Sequence, residues 1–584
     1  MVGCYVLGAF ALTWRLWPDP AGREVSGNSG DIALLAWFMR YSAQAVSHGH
    51  LPGLVTTGLN APQGINMMWN ASLLLPGVLL SPVTLLAGPF ASLNILLTAG
   101  FAGSAASLFF VLRRWDVSVT AAAIGGAVYG FSPALVTSGL GHLQLEFAVL
   151  PPLIIDAVLR IVTGRGRAVR TGIWLGLLAA AQVFIGEESL VDTAVATGVI
   201  LVVLAVSQPR AAMEAVTARA RAVAAGLGIA AAVALVICGY PLWEQFRGPL
   251  HEHGSPWMVP TFHSYLYGFV TPSGSLLFHT TASAATAAHY PEPLPEYLAY
   301  LGWPLLVVAL VATVAFWRDA RVRLAAVTFA ILELFTLGAA AIKFHGIRYP
   351  GALLPWHWLQ GLPVLSQLLP DRFSILAAGA AGALLAFAVD RARLLASRTG
   401  RRQLGLLAVV VAVLAVLPLI PRPMPAEAVG PAPAGWSAAF AELRLAPGAH
   451  VLVIPDLQDG MRWQAETGVP GSMVGGGDLI EPSATGQATS YIYNRLSTAV
   501  YLTTLWQGKS SGRAPSRSQI RKDLAYWQLS AIVAPTGRNS RLARFLTKEF
   551  GPPAVQVGDV LAWRIPSGRP LPGKLSSSTK GRVA

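Results

Sequence analysis

Charge is scarce in this chain. Only 12% of its 584 residues are Asp, Glu, Lys or Arg, against 54% hydrophobic, and the mean hydropathy is +0.54. That poverty excludes an ordinary soluble domain and indicates a polytopic membrane protein. Cysteine is rarer still: Cys4 and Cys238 both lie in apolar runs, which excludes a disulfide framework and a cysteine-based zinc site. Acidic residues are outnumbered by basic ones, 28 to 42, and the bases are mostly arginine. No internal repeat of fixed period is visible.

What is present is a series of apolar runs. A helix needs roughly 20 apolar residues to cross the hydrocarbon core, and such runs occur near 2–17, 90–112, 118–136, 145–162, 171–189, 190–207, 223–243, 298–317, 322–340, 373–390 and 403–420. The first, MVGCYVLGAFALTW, has no basic start and no A-x-A-like site, so it reads as an anchor rather than a removable signal peptide. Arginine clusters at 113–114, 160–170, 210–221, 318–323 and 391–402 belong on the cytoplasmic side by the positive-inside rule. Counting SLLLPGVLLSPVTLLAGP, residues 72–89, as a span would throw Arg113 and Arg114 outside. Pro76 and Pro82 interrupt a helix there, so the segment is read as lying on or dipping into the outer leaflet. The expectation is about 11 transmembrane helices, with the N-terminus cytoplasmic.

Residues 1–420 thus form a transmembrane region and 421–435, rich in proline, a stiff linker. Beyond it AAFAELRLA precedes HVLVIP, and LAYWQLSAIVAP repeats the order of helix then strand. AVQVGDVLAWRIP reads as a hairpin around Gly558-Asp559. A small extracytoplasmic α/β domain is expected over 436–566, with 567–584 a disordered tail. Trp463 and Trp506 are read either as core side chains or as exposed rings able to stack on a ligand. Lys509, Arg513, Arg517, Arg521 and Lys522 form a basic face suited to water or headgroups, and no nucleic-acid partner is expected.

An ionisable group near membrane depth is costly and points to function. Asp31 opens the first outer loop, and about 40 residues after it carry no acid while supplying His48, His50, Asn60, Gln63, Asn66 and Asn70. Asp31 also stands where it would cap the helix IALLAWFMRYSAQAV. Glu146 sits in GLGHLQLEF at the outer start of a span, Glu187 and Glu188 in the turn FIGEESL, and Asp192 one turn later.

The chain resembles the C-type glycosyltransferases, polytopic enzymes that take a sugar from a polyprenyl-phosphate donor on the outer face. The likeness is carried by GDIALLAW with its acid in the first outer loop, by the proline-broken segment before the second span, and by YGFSPALVTSGLGHLQLEFAVLPPLIIDAVL. LPWHWLQGLPVLSQLLPDRFSILAAGA and VLVIPDLQDGMRWQAETG are similar to stretches in bacterial members with an extracytoplasmic domain. The sequence lacks the paired acids in the first loop and the WWD-type motif of metal-using, oligosaccharyltransferase-like members.

The resemblance implies an α-helical membrane glycosyltransferase of the plasma membrane, likewise an inverting transfer in which Asp31 is the general base. Glu146 then orients the acceptor, Glu187 and Glu188 stand as alternative catalytic acids, and His142 and Gln144 hydrogen-bond sugar hydroxyls. Lys343, His345, Arg348 and Arg372, with Arg247 further back, are the candidate cations for the leaving phosphate. The implied partners are membrane lipids, a polyprenyl-linked donor and a glycan, lipid or protein acceptor. No cofactor is assigned, and His251, His253, His263 and His279 lack metal-ligand spacing, so no metal site is assigned either. Two other readings fit outer charged groups: a transporter or flippase of lipid-linked saccharides, and a non-catalytic scaffold of envelope assembly.

Overall fold

The structure is a computed structural model that describes residues 1–254, 262–344, 347–468, 471–475, 479–482, 488–491, 497–509 and 514–565. The chain divides into two compact units. The larger comprises the described residues of Met1–Pro52, Met68–Val429 and Pro482–Thr489, and the smaller the described residues of Gly53–Met67, Gly430–Glu481 and Ser490–Ala584.

In the larger unit, among the described residues, six helical stretches, some built of two consecutive helices, are long and apolar enough to cross a bilayer: Pro89–Arg114, Val119–Ser138, Glu187–Ser207, Arg219–Arg247, Pro370–Arg398 and Arg402–Leu419. Val2–Leu16, Ala168–Val183 and Trp303–Ala315 are apolar but shorter. Proline decides where the expected runs break. The run 145–162 is not one helix: a single turn, Leu143–Glu146, ends before Leu150–Thr163 begins. Pro151 and Pro152 fall in the first turn of the second helix, where a backbone N–H has no intrahelical partner to lose. The run 118–136 divides between Val119–Gly130 and Pro133–Ser138, with Ser132 Oγ accepting from the Leu135 amide at 3.3 Å. Segment 72–89 folds as Leu74–Leu79 and Ser81–Ala87, then turns at Gly88 with φ +89° into the next helix. Each of these short helices rises only about 10 Å, far less than the hydrocarbon core.

Small residues let the central helices touch backbone to backbone. A Cβ added at Gly125 would lie 2.7 Å from the Gly382 carbonyl oxygen, the close approach that small residues permit in membranes. Beside this crossing, Leu332, Phe335, Trp356, Phe373, Ala377 and Leu385 build a buried core.

Three aspartates tie arginine clusters together at one end of the bundle. Asp156 accepts from Arg114 at 3.0 Å and from Trp115 Nε1 at 2.9 Å, with Arg160 at 4.0 Å. Asp390 accepts from the Ser118 amide at 2.9 Å and pairs with Arg321 at 3.8 Å. Asp319 pairs with Arg321 at 3.6 Å and Arg391 at 3.8 Å. Arg372 stands just before the helix Phe373–Arg398 that carries Arg391, about 28 Å away along the axis at 1.5 Å per residue.

The smaller unit is built on a five-stranded sheet in the order Val555–Val557, Val560–Arg564, Leu529–Pro535, His450–Val453, Ser472–Met473. The first two pairings are antiparallel and the last two parallel. Helices Trp436–Leu443 and Arg517–Tyr526 precede the two parallel strands that the sequence pattern pointed to. Gly53–Met67, expected in the first loop of the membrane region, belongs to this unit because backbone bonds bind it there: the Ala61 amide donates to the Met473 carbonyl at 2.9 Å, and the Met473 amide to Gly58 at 3.0 Å. Trp463 is buried against Trp436, ring centroids 5.0 Å apart, and is a core side chain rather than a sugar platform. Trp506 is 41% exposed and donates through Nε1 to the Pro535 carbonyl at 3.0 Å. Of the expected basic face, Arg517 pairs with Glu549 at 2.9 Å, and Arg513 and the tail 567–584 lie outside the described residues.

Candidate active site

Asp31 is the third residue of the helix Ser29–Ser47, not its cap. Asn28 is the cap, its side-chain oxygen accepting from the Asp31 amide at 3.4 Å. That corrects the capping alternative for Asp31 and leaves its carboxylate available. Two donors converge on Oδ2: Asn28 Nδ2 at 2.6 Å and His142 Nε2 at 3.2 Å. Oδ1 has no hydrogen-bond partner among the described residues, and the side chain is 22% exposed. One oxygen is fixed and the other is open to an incoming proton.

His142 precedes the helical turn Leu143–Glu146 and faces a second carboxylate, Glu296 Oε1, 3.5 Å from its Nδ1. Only an imidazolium presents N–H groups on both ring nitrogens. Burial by itself lowers the His142 pKa, but Glu296 and Asp31 outweigh it, and the net shift is upward from 6.5. Glu296, 2% exposed, shifts the other way: burial raises its pKa, and the charges of Arg372 and His142 bring it below 4.5. The chain of charges continues through Arg372, which pairs with Glu296 at 2.8 Å and with Glu188. Glu188 also accepts from the Leu369 amide at 3.3 Å. Asp31, His142, Glu296, Arg372 and Glu188 therefore alternate in charge along one continuous path. Beside it, burial and the charge of Glu296 push Glu292 up to about 7.

Expected site residues separate into two groups. Asp31, His142, Glu188 and Arg372 are brought together. Glu187 is set apart, accepting from Gln245 Nε2 at 3.4 Å. Glu146 is fully buried, neither carboxylate oxygen has a hydrogen bond, and a Cβ at Gly100 would run into it. It packs against helix Pro89–Arg114 rather than lining an open site. Gln144 is half-buried with Oε1 unpartnered, Asp192 is buried, and Arg247 is exposed at a helix end. Lys343 and Arg348 are paired in register across the hairpin Ile342–Phe344 and Ile347–Tyr349, and His345 lies outside the described residues. Arg372 is engaged by two carboxylates rather than standing free for a phosphate. Glu296 was missed; its signal was a pair of acids, Glu292 and Glu296, in the tyrosine-rich stretch HYPEPLPEYLAY. Among the described residues no group of three or more His, Cys, Asp or Glu is arranged to hold a metal ion.

The opposite pKa shifts of His142 and Glu296 predict a pH window. A raised His142 pKa contributes stability that is complete below pH 6.5 and is lost as pH rises through the folded value. A lowered Glu296 pKa contributes stability present above pH 4.5 and lost as pH falls through its folded value. Thermal unfolding in detergent will show Tm falling as pH rises above 6.5, and His142→Gln will flatten that slope. An unchanged slope in the variant would assign the pH dependence to another group.

No protein-family model and no curated protein sequence matches the chain. Solved structures do. The arabinofuranosyltransferase AftD from Mycobacteria is 15% identical at a TM-score of 0.52, covering 96% of this chain and 39% of that one. The archaeal oligosaccharyltransferase AglB from Archaeoglobus fulgidus, in complex with an inhibitory peptide and a dolichol-phosphate, is 11% identical at 0.47, covering 94% and 69%. ArnT from Cupriavidus metallidurans, bound to undecaprenyl phosphate, is 13% identical at 0.46, covering 96% and 97%. The chain spans about two fifths of the length of AftD (39%). It is a multi-pass membrane protein with the fold of the C-type glycosyltransferases.

Proposed function

We propose that the protein is a membrane glycosyltransferase that moves a sugar from a polyprenyl-phosphate donor to an extracytoplasmic glycan, lipid or protein acceptor, with Asp31 as general base. The observation that carries this reading is the placement of Asp31: an accessible carboxylate with Oδ2 held by Asn28 and His142 and Oδ1 free. In the reaction the acceptor oxygen attacks the anomeric carbon and the bond from that carbon to the phosphate oxygen breaks. The polyprenyl phosphate leaves with the electron pair, and the acceptor's proton passes to Asp31 Oδ1. His142, Glu296, Arg372 and Glu188 act through Asp31 by fixing its orientation. The fold shared with AftD supports the reaction class.

The test is sugar transfer in proteoliposomes supplied with a panel of polyprenyl-phosphate sugars. Release of polyprenyl phosphate coupled to acceptor glycosylation supports the reading. Passage of lipid-linked saccharide across the bilayer without transfer would instead favour the transporter.

The same reading places the Asp31 end of the bundle outside, the arginine end in the cytoplasm and the smaller unit outside the plasma membrane. In a background without Cys4 and Cys238, Asp116→Cys will be shielded from an impermeant thiol reagent added outside, and Arg538→Cys will be labelled. The reverse pattern sinks the orientation.

A further inference from the structure

The arginine end of the bundle carries chemistry that the transfer reaction does not use. Between the helices lies a narrow cleft of about 130 Å³. Its walls are almost wholly apolar, with Leu108, Leu159, Thr328 and Ala383 among them, and two rings, Trp115 and Phe387, complete its arginine end. A guanidinium stands over each ring: Arg165 is 5.6 Å from the Trp115 centroid and Arg321 is 5.5 Å from that of Phe387. The two cations are not equivalent. Arg321 pairs with Asp319 and Asp390, whereas Arg165 is exposed and has no carboxylate partner among the described residues.

We propose that this cleft holds one acyl chain of an anionic phospholipid whose phosphate rests on Arg165. The layout suits an amphiphile: a hydrocarbon slot with aromatic rings in its wall, and an exposed cation stacked on one of them. Arginine suits the role because its planar fork meets phosphate oxygens in pairs while its face stacks on an indole. Arg167 and Arg170, exposed in the same loop and helix start, add an attractive field for an anion, whereas Arg114 and Arg160 share the Asp156 carboxylate. The topology proposed above makes this the cytoplasmic leaflet, and the inference rests on that reading for the leaflet alone. The donor phosphate belongs at the other end, with Asp31.

Native mass spectrometry of the full chain, in mild detergent with equal amounts of phosphatidylglycerol and phosphatidylcholine of the same acyl composition, tests it. The wild type will retain one phosphatidylglycerol in preference to phosphatidylcholine. Arg165→Ala will lower that retention about fivefold, the loss expected for one arginine near an anionic headgroup, and Arg165→Lys will recover much of it. Ala383→Trp, which fills the slot, will expel both lipids. Arg165 is exposed, so its variants report on binding even if Ala383→Trp fails to fold. Equal retention of the two lipids, unchanged retention by Arg165→Ala, or recovery of polyprenyl phosphate in their place would each overturn the proposal. Sugar transfer is not part of the readout, so failure here leaves the Asp31 reading standing.

Discussion

Asp31→Asn will give an inserted, folded protein that transfers sugar about 10²–10⁴-fold more slowly than wild type. Asparagine keeps the size of the side chain and an oxygen that His142 Nε2 can reach, but it cannot take the acceptor's proton. The helix Ser29–Ser47 survives because its cap is Asn28; the loss of one carboxylate near its N-terminus costs only about 0.3–1 kcal/mol. Turnover and thermal unfolding should be measured on one preparation, so that lost chemistry is separated from lost protein. Near-wild-type transfer would remove Asp31 from the reaction. Glu146→Gln will lose far less, because Glu146 is fully buried and without hydrogen bonds.

Arg372→Ala will destabilise the fold by about 3–5 kcal/mol, the cost of leaving buried carboxylates without their cation. Glu296 is 2% exposed and Arg372 12%, and Arg372 is the cation between Glu296 and Glu188. Arg372→Lys will recover only part of the loss, because a single ammonium does not span two carboxylates as a guanidinium does. Glu296→Gln added to Arg372→Ala will restore part of the stability, Glu188 still lacking its cation, and the double-mutant cycle in detergent gives the Arg372–Glu296 coupling directly. Unchanged stability with a raised donor KM would instead return Arg372 to the role of phosphate ligand. The two outcomes separate a positioning residue from a substrate-binding one.

Much of the architecture was legible in the residue order. Hydrophobic runs exposed the membrane class, since few charges can be tolerated where water is absent. Pro82, read as an interruption of segment 72–89, does open a new helix, whereas Pro133, which opens another after Ser132, went unread inside the run 118–136. Pro151 and Pro152 were present too, yet the apolar run through 145–162 masked their effect, because hydropathy does not see a missing N–H. In the smaller unit, the order of helix then strand at Trp436–Val453 and Arg517–Pro535 was readable because each pair is local.

The site was legible only in part. Asp31 stood out by isolation, and Arg372 by being a cation next to an apolar run. Their relation was not visible, because it passes through Glu296, far from both in sequence. A lone acid in a loop looks the same whether it meets water or an arginine. The sequence by itself determined the membrane class, the break within segment 72–89 and the prominence of Asp31, all properties of local composition and backbone chemistry. Only the tertiary structure decided that His142 and Arg372 are each held between two carboxylates and that one oxygen of Asp31 is left free. Electrostatic partnership depends on distance in space, and that distance exists only once the helices have packed.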